Sequence, residues 1–75
     1  MKKKYGYYIV ESTYLVRWGT KVCEYLKPDG TWHNYSNEWS VITNGRHIGD
    51  DEGLAMKKAK ELFAEMEEIG FKYPD

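Results

Sequence analysis

From residue 5 to about residue 48, apolar and polar positions alternate in short runs broken by turn residues; beyond Ile48 the period lengthens to that of a helix. YGYYIVES at residues 5–12 and YLVRW at residues 14–18 are rich in β-branched and aromatic side chains, and read as two strands or one long bent strand. KPDG at residues 27–30 puts proline where a type I turn needs a fixed φ and glycine where the chain takes a positive one. KVCEYL and TWHNY are therefore expected to pair as a hairpin. NG at Asn44 and Gly45 is the preferred pair of a type I′ turn, which predicts a second hairpin between EWSVIT and RHI.

Leu54, Ala55, Ala59, Leu62, Phe63, Met66 and Ile69 follow the spacing of one helical face, and Lys57, Lys58, Lys60, Glu61, Glu65 and Glu68 take the other. Asp50 or Asp51 suits the N-cap, with Glu52 at the positive end of the dipole, and Gly70 followed by Phe71 suits the C-terminal stop. The predicted fold class is α+β: an antiparallel sheet of about three to five strands with one C-terminal amphipathic helix packed on one face. The strands fall within about residues 5–48, the helix spans about residues 51–69, and residues 1–75 form a single domain. The charged stretch TNGRHIGDDEG at residues 43–53, with an Arg, a His and three carboxylates, then reads as a turn, a short strand and a helix cap rather than a catalytic cluster.

A chain of 75 residues hides only about 60 to 65% of its unfolded surface on folding, which leaves no room for a deep catalytic cleft. The hydrophobic share of 41% leans on aromatics, with seven Tyr, three Trp and two Phe, and disorder is not expected. One cysteine, Cys23, excludes an internal disulfide framework and suits a reducing cytoplasm. MKKK at the start is followed by too short an apolar run for a signal peptide, so a cytoplasmic protein without a membrane span is expected. Net charge is −1, but seven Lys and Arg face four Asp and Glu up to residue 49, and four face eight thereafter. The helix carries its lysines early and Glu65, Glu67 and Glu68 late, against the macrodipole at both ends. Glu61, Glu65 and Glu68 form an acidic stripe on the open side, either merely solvated or facing a basic partner.

Cys23, His33 and His47 lie too far apart for a recognisable metal spacing. Cys23 with His33 as base across the KPDG hairpin is the one nucleophile pair the sequence offers, and no phosphate-cradling loop is present. No enzyme, no metal and no cofactor are expected. The strands supply large side chains in both alternation sets. Val16, Trp18, Val22, Leu26, Trp32, Trp39 and Val41 are assigned to the core beneath the helix; Arg17, Tyr25, His33 and Tyr35 are assigned to an uncovered face, and Tyr7 to Val10 are left unassigned. Tyr, Arg and His on a wet sheet face have the composition of an interaction hot spot, although tyrosine is also a good exposed strand former.

In general character, by its short aromatic-rich domain and acidic helix, the chain resembles small phage and prophage accessory proteins, including anti-CRISPR inhibitors. That resemblance implies a non-enzymatic protein-binding module, an inhibitor or adaptor that occludes a partner surface. Its expected partner-binding residues are Arg17, Tyr25, His33, Tyr35, Arg46, Glu61, Glu65 and Glu68. The expected partner is a protein, a basic nucleic-acid-binding protein among the candidates, and a homodimer through the tyrosine face is a further expectation. The plan of strands followed by one helix also resembles AP2-like and integrase arm-binding domains, which implies DNA read by Arg17, Trp18, Lys21, Trp32 and Arg46 on the sheet. A pI near 6.1 and two arginines make the nucleic-acid alternative the weaker one.

Overall fold

The computed structural model describes residues 5–73. Within them the order is β1 (Tyr5–Val10), β2 (Tyr14–Gly19), β3 (Val22–Leu26), β4 (Trp32–Asn34), α1 (Glu38–Asn44), β5 (Gly45–Gly49) and α2 (Glu52–Glu68). The described strands form one five-stranded sheet in the order β4-β3-β2-β1-β5, antiparallel at every pairing. The α+β class and the C-terminal helix agree with the sequence reading. Residues 5–18 resolve into two strands.

Local chemistry explains most of the elements. At the KPDG turn the Gly30 N–H donates to the Lys27 carbonyl at 2.9 Å, and the Lys27 N–H donates to that of Thr31 at 2.9 Å. Asp51 caps α2, its Oδ1 accepting from the N–H groups of Gly53 at 2.9 Å and Leu54 at 3.4 Å. At the other end Gly70 takes a φ of 79°, and the Phe71 N–H reaches back to the Met66 carbonyl at 2.9 Å.

The expected second hairpin does not form. EWSVIT is helical: it makes up most of α1, and β5 pairs with β1 instead. Asn37 decides this, because its side-chain oxygen accepts the Ser40 N–H at 3.2 Å, and Glu38 stands in the first turn. Gly45 ends α1 in extended conformation rather than in a hairpin turn, and its N–H donates to the Val41 carbonyl. A Cβ at that position would collide with the same carbonyl oxygen, so glycine is required there by close approach.

Both sheet faces are covered, which corrects the expectation of one wet face. Under α2 lie Tyr7, Leu15 and Leu26 with Ala55, Ala59 and Leu62, flanked by Ile9, Trp32, Ile48, Met56, Phe63 and Met66. Under α1 lie Val10, Val16, Tyr25 and Val41, flanked by Tyr8, Tyr14, Trp18, Cys23, Tyr35 and Tyr73. The assignment of side chains to faces also changes. A two-residue loop at residues 20–21 pairs Val16 with Tyr25 and Trp18 with Cys23, so even positions of β2 share a face with odd positions of β3. Val16 and Trp18 therefore leave the face to which Leu26 and Trp32 belong, and Arg17 joins it.

Candidate functional site

The eight residues expected to bind a partner do not form one surface. Arg17 is engaged beneath α2, with its Nε donating to Glu24 Oε1 at 2.8 Å and its guanidinium 4.2 Å above the Trp32 ring. Tyr25 is only 6% exposed and packs edge-on against Tyr14 at 5.3 Å and Tyr35 at 5.9 Å. It is core rather than contact surface. Tyr35 is half-buried in the same cluster, where burial and the Glu11 carboxylate raise its pKa. His33 stands half-buried beside Tyr25, and Arg46 is exposed on β5 opposite Ile9. Glu61, Glu65 and Glu68 are all exposed on α2, as expected of the open stripe. Leu54 and Ile69, assigned to the buried helical face, are instead exposed at the two ends of α2.

The structure does not assemble the nucleophile pair that the sequence offered, Cys23 with His33 as base. Across the β3–β4 hairpin Tyr25, not Cys23, stands opposite His33. Burial raises the pKa of the Cys23 thiol, and the carboxylates of Glu38 and Glu24 raise it further, so the thiolate is disfavoured. His33 Nε2 lies 2.7 Å from Thr31 Oγ1, and the Thr31 hydroxyl donates to Asp29 Oδ1 at 2.6 Å. That hydroxyl and the Thr31 N–H hold the Asp29 carboxyl below the usual carboxylate range. With its proton directed to Asp29, Thr31 accepts from His33, the reverse of the bond that would activate a nucleophile. Among the described residues no group of His, Cys, Asp and Glu is placed to hold a metal ion.

Two other surfaces stand out. On α1, Trp39 is 70% exposed and Ile42 is 59% exposed. They are three residues apart, one above the other on the outer side of the helix, while Ser40 and Val41 face inward. A strand reading of EWSVIT puts Trp39 in the core, on the same side as Val41. A helical reading separates the two, and the Asn37 cap three residues before Ser40 is the signal that would have found it. The Glu38 carboxylate at the start of the helix is held by Trp18 Nε1–H at 2.6 Å. The second surface is an open groove of about 650 Å3 between the turn at Pro28 and Asp29 and the end of α2, floored by Phe63, Met66, Phe71 and Tyr73.

The domain so defined is a small α+β unit with a sheet sandwiched between a long and a short helix. Comparison with protein-family models, curated proteins and solved structures gives no match for it. Among the described residues no helix is long and apolar enough to cross a membrane.

Proposed function

We propose that this chain is a non-enzymatic protein-binding module, a small inhibitor or adaptor that acts by occluding a surface of its partner, with α1 as its contact element. The observation that carries the reading is the pair Trp39 and Ile42. Both are large apolar side chains that face solvent on a helix whose other side is packed into the sheet. A domain this small gains nothing in folding from exposing them, and Trp heads the residue types that anchor protein interfaces. Arg46 on the following strand, opposite Ile9, points to the α2 side of the sheet and stays outside this contact.

The DNA-reading alternative loses support from the same geometry. Arg17 is bound to Glu24 and stacked on Trp32, Trp18 is bonded to Glu38, and helices cover both sheet faces. The test is capture from a bacterial lysate by the immobilised parent and by a Trp39→Ala/Ile42→Ala variant, beside a gel shift on random duplex DNA at low salt. The expected outcome is a protein captured by the parent and lost by the variant, with no shift of the duplex. Tight, salt-sensitive DNA binding abolished by Arg46→Ala would replace this reading with the second one.

A further inference from the structure

The β1–β2 turn is closed by the Thr13 N–H donating to the Val10 carbonyl at 3.0 Å, and its two central residues, Glu11 and Ser12, have φ values of 54° and 53°. Three residues, Glu11 to Thr13, separate the paired Val10 and Tyr14, and two successive left-handed residues in such a loop are the habitat of Asn and Gly. Residues with larger side chains stay there only when their surroundings hold them. Three contacts do so. The Tyr73 hydroxyl donates to the Thr13 carbonyl at 2.7 Å, the Thr13 hydroxyl donates to the Glu11 carbonyl at 2.9 Å, and the Ser40 hydroxyl donates to Glu11 Oε2 at 3.4 Å. Ser40 is a buried residue of α1, and the Asn37 amide that caps the helix donates to the same hydroxyl at 2.7 Å. Tyr73 ends a strap, residues 71–73, that leaves α2 through Gly70. Ring contacts hold Tyr73 to Tyr14 at 5.6 Å, Phe63 at 5.6 Å and Phe71 at 4.9 Å.

We propose that this strap is a latch. Docked, it keeps the β1–β2 turn left-handed and, through Glu11 and Ser40, fixes the first turn of α1. Released by rotation at Gly70, it lets the turn relax and frees the start of the helix that carries Trp39 and Ile42. The turn is the element with two states: its present conformation is one that Glu11 and Ser12 would leave on their own, which gives the latch something to control. That release loosens the contact element for a partner rests on the protein-binding reading above; the latch itself does not.

Amide hydrogen exchange on the Tyr73→Phe variant tests it, because that change removes one hydroxyl and keeps the ring. Exchange at the amides of Thr13 and Ser40 should rise about fivefold, the factor a single neutral hydrogen bond supplies, while Ala59 and Leu62 in α2 stay unchanged. Adding Ser12→Gly should restore both protections, since glycine takes the left-handed conformation without support. The latch is overturned if the rise is confined to residues 71–73, if Ala59 and Leu62 rise equally, or if Ser12→Gly rescues nothing. Should the Trp39→Ala/Ile42→Ala variant still capture the parent's partner, the protein-binding role of α1 fails while these exchange results stand unaffected.

Discussion

The two faces of the sheet are closed by different means. Beneath α2 a 17-residue helix lays Ala55, Ala59 and Leu62 on Leu15, Leu26 and one tyrosine, Tyr7, a mostly aliphatic contact that asks little of direction. Beneath α1 a helix of 7 residues covers only part of the surface, and tyrosines from β2, β3, the segment before α1 and the strap complete it. Those tyrosines bring hydroxyl groups that need partners and rings that pack edge to face, so this face is held by particular geometry as well as by area. The lesson is a division of labour: the α2 face carries the stability, and the α1 face gathers the strained turn, the polar links and the exposed Trp39. Substitutions ought to separate the two.

The largest effect is expected at Leu62, which is 6% exposed at the centre of the α2 face. Leu62→Ala should destabilise by about 2 to 5 kcal/mol in a denaturant titration, a large fraction of what a domain of this size possesses. A loss under about 1 kcal/mol would contradict the aliphatic face as the seat of stability. Gly45→Ala comes next. The methyl group must displace the Val41 carbonyl, and about 1 to 3 kcal/mol is expected from such overpacking. Nuclear magnetic resonance shifts should move around α1 and β5 and hardly at all in α2. Equal shifts in both helices would show that the two faces are one cooperative unit.

A pH titration reaches the α1 face through its phenols. Burial, with a smaller contribution from Tyr14, pushes the Tyr73 phenol up to about 12. Below the ordinary tyrosine value of 10.0 the phenol is protonated in both the folded and the unfolded chain, so pH has no leverage through it. Between there and about 12 the unfolded phenol ionises and the folded one does not, so stability should fall across that window. Burial raises the phenols of Tyr14 and Tyr35 in the same direction. Tyr73→Phe should flatten part of the alkaline loss, and an unchanged slope would mean that the strap does not bury its phenol.

The smallest stability changes are expected on the outside. Trp39→Ala with Ile42→Ala, and separately the reversal of Glu61, Glu65 and Glu68 to Lys, should each leave the unfolding free energy within about 0.5 kcal/mol per site. The reversal should even ease the helix dipole at the end of α2, where the last turn holds no base. If truncating Trp39 unfolded the domain, α1 would be core, not contact.

The difference between the faces also explains what the sequence could convey. α2 was legible because a 3.6-residue period over 17 residues, an Asp51 cap and a Gly70 stop all point one way. The β3–β4 hairpin was legible because Pro28 and Gly30 carry their backbone preferences with them. α1 was not: EWSVIT holds three β-branched residues followed by an Asn-Gly pair, and its cap at Asn37 and its buried pair Ser40 and Val41 are too short a signal to outweigh them. The turn at Glu11 and Ser12 was hidden for the opposite reason, since neither residue favours the conformation it adopts. The partner-binding set suffered from register. One tight loop at residues 20–21 sets β2 against β3 so that Arg17, and not Val16 or Trp18, shares the α2 side with Leu26 and Trp32, while Tyr25 keeps the side expected of it and is buried because α1 covers that side.

The bond from Tyr73 to Thr13 has a practical corollary for handling the protein. It joins the end of the described chain to the far tip of the β1–β2 hairpin, whereas Tyr5 lies at the opposite end of β1, paired with Gly19. Those two attachment points are separated by the length of a 6-residue strand, about 17 Å. A fluorophore or affinity handle placed ahead of Tyr5 therefore reports on the molecule from a distance. The same handle placed behind Tyr73 sits on the joint between strap and turn, where its bulk competes with the contact it is meant to leave alone.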